Sequence, residues 1–340
     1  MISWNDVRVE IETAIKNGDQ AALDTIRRAK MKALVTRTGR PMIIYAADFL
    51  GKGRGTPDVG IDFADKDGFR EAVTGLPAEA VDVLLHSPGG SAEAAESIVK
   101  MLRSHFKSIR FIVPDIAKSA ATMLALSGDA ILMDACAELG PIDPQFQIPR
   151  GDGSVVMAPG QAIIDQFDTM EKKIKADPRS LPVHIPILQI YAPSLYQQAK
   201  NAIALSKNLV KEWLSAYMFA DRKRTERARL ASAVARYLGD HNKFKSHAKG
   251  VRLEDFRTIN ALKPVKISDL AEDAELHSLV RGLHYAIGFA FSGSTTLKIF
   301  ENSEGRAMIR HMRMVQVQAP PGMQQLIALE RPPAEPAIPA

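Results

Sequence analysis

A chain of 340 residues that is 46% hydrophobic and 24% charged has room for one large or two modest globular domains and is too apolar to be a disordered protein. Its single cysteine, Cys136, excludes an internal disulfide and any multi-cysteine metal site, fits a reducing compartment and leads us to expect a cytoplasmic protein. The net charge of +5 is spread out, and its one cluster, Arg222-Lys223-Arg224 with Arg227 and Arg229, reads as a solvated helix face, so no nucleic-acid partner is expected.

The opening residues already carry Asp6, Arg8 and Glu10, which is not the pattern of a signal segment. The longest apolar runs, around Leu283 to Phe291 and Ala130 to Met133, are too short to span a bilayer. Residues 3 to 35 have helical spacing (Trp4, Val7, Ile11, Ile15, then Leu23, Ile26, Leu34), broken at Asn17-Gly18-Asp19. They predict an N-terminal arm, 1–36, that packs on the core or on a neighbouring subunit.

Pro41 to Ala46 reads as the first core strand. The glycine-rich stretch Gly51 to Gly55 lacks the Gly-Lys-Ser/Thr ending of a phosphate loop and reads as a mobile surface loop. A short helix is expected over Lys66 to Leu76. Next comes the strand Ala80 to Leu85, the turn His86-Ser87-Pro88-Gly89-Gly90 and a helix from Ser91 to Phe106. A second unit repeats the plan: the strand Ile109 to Val113, a turn ending in Lys118-Ser119, and a small-residue helix from Ala120 to Ser127. Such alternation implies a parallel sheet with right-handed crossovers, whose ligands gather at the carboxyl ends of the strands.

Beyond Ile131-Leu132-Met133 lies the turn Leu139-Gly140-Pro141-Ile142-Asp143-Pro144-Gln145. The residues from Ile148 to Gly160 read as loop, Gln161 to Lys175 as helix, and Pro178 to Pro186 as a break that leaves His184 in an irregular segment. One long helical stretch is expected from Ser194 to Leu238, then a polar loop from His241 to Lys249 containing His247. Leu270 to Phe291 looks helical, and Thr296 to Phe300 with Ala307 to Met314 forms a hairpin or a strand and a helix. Prolines crowd the stretch from Ala319 onward, which predicts a disordered tail.

The two turns suggest chemistry. A glycine turn opening into a helix presents unpaired N–H groups, and Ser119 stands at the matching point of the second unit. Acyl transfer needs a nucleophile beside donors aimed at a developing oxyanion. The residues alone leave Ser119 two roles, that nucleophile or a serine capping its helix.

Ser87-Pro88-Gly89-Gly90, the Ser119 helix followed by Gly128-Asp129-Ala130-Ile131, and Leu139 to Gln145 together resemble the Clp-protease/crotonase superfamily, and within it the serine dehydrogenase proteinase family, related to signal peptide peptidase A and the Clp proteolytic subunit. The resemblance covers roughly residues 40 to 145, with a weaker echo to about 270. It implies an α/β fold of repeated strand–strand–helix units around a parallel sheet, with helical C-terminal additions. The expected divisions are the arm 1–36, a peptidase domain 37–270 with helical elaboration from about 160, a C-terminal extension 271–318 and the tail 319–340. It implies a serine peptidase acting on a protein or peptide substrate, one of membrane origin included, and assembly into homo-oligomers.

By the same resemblance Ser119 is the nucleophile and the Gly90 and Ala120 N–H groups form the oxyanion hole, with Gly89 shaping the turn. Asp143 and His247 then follow as orienting acid and base in the order Ser, Asp, His. The alternative readings for Asp143 and His247 are a turn residue and a surface histidine. A lysine from Lys172, Lys173 and Lys175 is the alternative base, as in signal peptide peptidase A relatives. Lys118 points away from its neighbour. His86 touches substrate or satisfies a backbone carbonyl, and the other histidines show no metal-ligand spacing. No metal or cofactor is expected. A crotonase-like acyl-CoA enzyme and a non-catalytic scaffold of the same fold are the rival readings.

Overall fold

The computed structural model describes residues 1–312 apart from 55, 151 and 192, so the tail expected over 319–340 and residues 313–318 lie outside the described residues. Two N-terminal helices, α1 (Trp4–Lys16) and α2 (Ala22–Thr38), are separated where the spacing predicts. The Ser3 hydroxyl caps α1 by accepting the Asp6 N–H at 3.1 Å, and Gly39, at φ 65°, ends α2.

Strand and helix then alternate through β1 (Met42–Ala47), α3 (Asp65–Val73), β2 (Ala80–His86), α4 (Ala92–His105), β3 (Ser108–Val113), β4 (Ile116–Ala117), α5 (Ala120–Leu126), β5 (Ala130–Met133) and β6 (Glu138–Leu139). The hairpin β7 (Gln145–Pro149) and β8 (Val155–Pro159) leads into α6 (Gly160–Ala176), α7 (Leu181–Ile190), α8 (Leu195–Ala216), α9 (Arg224–Leu238), α10 (His241–Phe244) and α11 (Leu253–Thr258). The described chain closes with β9 (Ile267–Asp269), α12 (Ala274–Ser292), β10 (Thr296–Asn302) and β11 (Ala307–His311).

Seven strands form the main sheet in the order β11-β10-β1-β2-β3-β5-β9, with β1, β2, β3, β5 and β9 parallel and β10 antiparallel to β1. Helices cover both faces, and the strand pleat decides which residues meet them. Ile43, Tyr45, Val83, Leu85, Phe111 and Val113 face one core with α4, α5, α8 and α9, while Met42, Ile44, Ala46, Leu84, Ile112 and Leu132 face the other, under α2 and α12. In α4 the buried residues Ala94, Ala95, Ile98, Val99 and Leu102 recur at helical spacing, and Ser91 caps it through the Ala94 N–H at 3.0 Å.

The structure corrects several expectations. Within the expected C-terminal extension, β10 is buried throughout and flanks β1. Its polar residues are all partnered: Lys298 with Asp65 at 2.8 Å, Glu301 with Arg27 at 2.6 Å, and the Asn302 amide with the Ala72 carbonyl at 2.9 Å. The arm packs on α12 of its own chain. Residues 145–159 form a hairpin instead of a loop, since Pro149 and Pro159 stand at strand ends, where a missing N–H is tolerated, and Phe146, Ile148 and Ala158 bury against α6 and α8. His184 lies in α7, whose Pro182 occupies the first turn, where no helical bond is lost. The long helical stretch is broken between α8 and α9, and the 241–249 loop opens with the single turn α10. The Gly51 loop is anchored: Asp48 accepts the Gly51 N–H at 3.0 Å and the Lys52 ammonium at 2.8 Å, and that ammonium also bonds the Phe291 carbonyl.

Candidate active site

The two turns meet at the carboxyl ends of β2 and β4. A parallel bridge between Ser87 and Ala117 stitches them, with the Ser87 N–H donating to the Ile116 carbonyl at 3.0 Å and the Lys118 N–H to the Ser87 carbonyl at 3.1 Å. Gly89 adopts φ 94°, and a Cβ there would stand 2.5 Å from the Lys118 carbonyl oxygen and 2.6 Å from Ser119 Cβ. Only glycine lets the backbones approach this closely. Gly90, at φ 153°, is braced by Ile61, whose N–H donates to the Gly89 carbonyl at 2.7 Å and whose carbonyl accepts the Ser91 N–H at 2.9 Å. Among the described residues neither the Gly90 nor the Ala120 N–H has a hydrogen-bond acceptor.

Ser119 precedes α5 with φ 53° and ψ −121°, a conformation that costs a residue with a side chain about 1–3 kcal/mol. Its hydroxyl makes no capping bond, so the capping role is not the one it plays. The turn is held from below by Thr122, whose hydroxyl donates to the Ala117 carbonyl at 2.7 Å and accepts the Gly140 N–H at 2.8 Å. Ser119, Gly89, Gly90 and Ala120 line one cleft of about 740 Å³, whose apolar wall includes Met123, Ile142, Phe146 and Leu205.

His247 lines the same cleft. It arrives from far along the chain because Leu139 and Val251 exchange backbone bonds at 3.0 and 2.9 Å, clamping the 247–251 loop to the segment that carries Asp143. Lys245, at φ 64°, turns the chain after α10 toward this loop. His247 Nδ1 lies 2.7 Å from Asp143 Oδ1. A carboxylate only accepts, so Nδ1 carries the hydrogen and the neutral ring keeps its lone pair on Nε2.

Asp143 is buried and fully engaged. Its second oxygen accepts from His241 Nδ1 at 2.9 Å and from the Gln145 amide at 2.9 Å. Burial pushes the Asp143 carboxyl up, but the hydrogen bonds and charges of His247 and His241 together outweigh it and hold the carboxyl below the ordinary carboxylate range. Sequence reasoning missed His241; its one signal was its place right after the capping residue Asp240, which fixes where its side chain starts.

The lysines stand elsewhere. Lys118 pairs with Glu138 at 2.6 Å and Lys175 with Glu171 at 2.6 Å. Lys172, Lys173 and Lys175 ride on α6, and among the described residues no lysine lines the cleft. His86 is buried against Phe49, with ring centroids 4.8 Å apart, and neither contacts the cleft nor bonds a carbonyl through Nδ1. No group of three or more His, Cys, Asp or Glu side chains that could hold a metal ion occurs among the described residues.

A mostly parallel sheet whose adjoining strand ends bring a glycine turn against a serine turn is the ClpP-like α/β arrangement. Residues 60–179 match the family of ClpP-like SDH-type serine proteinases, which bears out the resemblance read from the motifs. That span holds Gly89, Gly90, Ser119 and Asp143, while His241 and His247 lie beyond it. The chain is 39% identical over 110 residues to the uncharacterized protein MJ0137 of Methanocaldococcus jannaschii and 36% identical over 87 residues to MJ1495 of the same organism. These matches cover 32% and 25% of this chain and 38% and 30% of the relatives' own lengths. Among solved structures, a mutant of the 1510-N membrane-bound stomatin-specific protease is similar over 64% of this chain and 79% of that one, at 18% identity and a TM-score of 0.35. A mutant of ClpP1 from Listeria monocytogenes is similar over 71% and 96%, at 11% identity and a TM-score of 0.32.

Proposed function

We propose that the protein is a serine peptidase that works through a Ser119, His247 and Asp143 triad. The observation that carries this reading is the 2.7 Å Asp143–His247 hydrogen bond on the wall of the cleft that also holds Ser119 and the two free N–H groups. His247 Nε2 takes the hydroxyl proton as Ser119 Oγ attacks the scissile carbonyl carbon. The oxygen of the tetrahedral intermediate gains negative charge and is met by the Gly90 and Ala120 N–H groups. His247 then passes its proton to the departing amine, and water, activated by the same ring, frees the acyl group from Ser119. Asp143 keeps the hydrogen on Nδ1 throughout and supports the imidazolium as it forms.

The apolar wall of Met123, Ile142, Phe146 and Leu205 suits a peptide substrate with an apolar side chain beside the scissile bond. A membrane-derived peptide is compatible with that wall, and assembly into a homo-oligomer belongs to the same proposal. Among the described residues no helix is long and apolar enough to cross a membrane. The exposed free thiol of Cys136 suits a reducing compartment, and we include a cytoplasmic location in the proposal.

Covalent labelling by a fluorophosphonate tests the reading. The label is expected on Ser119, absent from Ser119→Ala and strongly slowed in His247→Ala. A crotonase-like acyl-CoA enzyme or a non-catalytic scaffold would not be labelled, and that result would sink the proposal.

A further inference from the structure

A second cavity, of about 570 Å³, lies at the same carboxyl ends of the strands but on the α12 face of the sheet. Ala47 closes β1 there, His86 closes β2, Asp115 follows β3, and α12 contributes His284, Ile287, Gly288 and Phe291. The stacked pair Phe49 and His86 separates it from the peptidase cleft, since Phe49 lines the cleft and His86 lines this cavity.

Its polar groups are unevenly matched. His86, only 6% exposed, has a buried Nδ1 without a partner, and so has His284. The two rings meet edge to face with centroids 5.1 Å apart. The Asp115 carboxylate accepts no hydrogen bond among the described residues, and its nearest cationic or imidazole nitrogen is His284 Nε2 at 3.9 Å. The one ammonium in the wall, Lys52, is already committed to Asp48 and to the Phe291 carbonyl. Burial, with His284 adding to it, lowers His86 to about 3, and burial with the nearby Arg281 outweighs Asp134 and lowers His284 to about 4, so both imidazoles are neutral at neutral pH. Neither neutral ring balances the Asp115 charge, so a half-buried carboxylate without a partner faces an apolar chamber, and such an acceptor calls for a donor.

The geometry points to a binding site for a small amphipathic primary amine, its ammonium donating to the Asp115 carboxylate and its alkyl body lying against Leu50, Ile287 and Phe291. An ammonium brings three donors, and the carboxylate supplies the opposite charge. An anion would meet the Asp115 carboxylate with no uncommitted ammonium or guanidinium among the described residues of this wall, and three metal-ligating side chains do not converge on it.

Calorimetric titration of the full chain with hexylamine, hexanol and hexanoate at pH 7.5 tests the assignment. Hexylamine is expected to bind one to one with a dissociation constant of about 1 mM, given its seven non-hydrogen atoms. Hexanol should bind at least tenfold more weakly and hexanoate not at all. In Gly288→Leu the new side chain grows into open space, since a Cβ at Gly288 meets nothing within 4 Å, and hexylamine binding should be lost. Asp115→Asn should weaken it tenfold or more and serves alone should the leucine variant lose its native circular dichroism. Failure of hexylamine to bind, equal binding of hexanol or hexanoate, or undiminished binding in both variants overturns the inference. None of these readings involves peptidase activity.

Discussion

Asp143 Oδ1 and His247 Nδ1 lie 2.7 Å apart although 104 positions separate the two residues in the chain. Nothing local brings them together. The bridge between Leu139 and Val251 does, by laying the histidine loop against the strand that leads to Asp143. Asp143→Asn keeps the shape but allows the wrong tautomer, so the rate of peptide hydrolysis is expected to fall by about 10⁴-fold. His241→Ala, which removes one of the two partners of the second carboxylate oxygen and leaves the Gln145 amide, should lower it less than about tenfold, because His247 keeps its bond. Peptide hydrolysis rates of the two variants side by side check the assignment; equal losses would show that Asp143 serves both rings alike.

Gly89→Ala tests the close approach of the two turns. Its methyl would press on the Lys118 carbonyl and Ser119 Cβ, at 2.5 and 2.6 Å, with φ at 94°. Backbone on both sides leaves no cheap relaxation, so a stability loss of about 1–3 kcal/mol is expected together with near-complete loss of fluorophosphonate labelling. Gly18→Ala, also at positive φ but with nothing within 4 Å, supplies the control: a loss of about 1 kcal/mol and unchanged labelling. Denaturant melts and labelling rates of the pair decide it.

Lys298 couples the distant strand β10 to the Gly89–Gly90 turn. Its ammonium bonds both oxygens of Asp65, at 2.8 and 3.0 Å, and the Gly60 carbonyl beside Ile61, the residue that braces Gly90. Burial already raises the Asp65 carboxyl, against the pull of Lys298. Lys298→Met leaves that buried carboxylate only Arg310, at 3.2 Å, and the Tyr45 hydroxyl, at 2.7 Å, and should cost up to about 3 kcal/mol, with slower labelling as well. Adding Asp65→Asn to the same chain should recover part of the stability, which urea denaturation would measure.

Acid should destabilise the fold through the two imidazoles of the second cavity. Both have native values below the ordinary histidine 6.5, at about 3 for His86 and about 4 for His284. The unfolded chain therefore binds more protons between those values and 6.5. Stability is fully present above about pH 6.5 and falls as the pH drops below it, by about 1.4 kcal/mol per pH unit for each histidine. Denaturation midpoints from pH 7 to 4.5 should follow this slope, and His284→Phe should halve it. A flat profile would contradict the neutral, buried state of the pair.

The core units were legible in the sequence because their signals are local. Two β-branched runs each delivering a turn and a helix give the parallel sheet, and Ser87-Pro88-Gly89-Gly90 with Ser119 marks the place where its turns meet. Ile148 to Gly160 reads as loop because prolines and glycines outweigh a short alternation, and only packing on α6 and α8 reveals the hairpin at 145–159. The prolines around His184 read as a break, yet Pro182 stands in the first turn of α7 and Pro186 is accommodated inside it.

Local order of residue types determined, by itself, the strand–turn–helix units, the serine, the glycine turn and the aspartate after Gly140-Pro141-Ile142, because turn chemistry and periodicity act over a few residues. Tertiary structure alone decided that β10 completes the sheet, that His241 joins His247 on one carboxylate, that no described lysine reaches the cleft and that two histidines share a second cavity. Those relations join positions tens to hundreds of residues apart, and burial and strand pairing, which select them, leave no periodic trace in the chain.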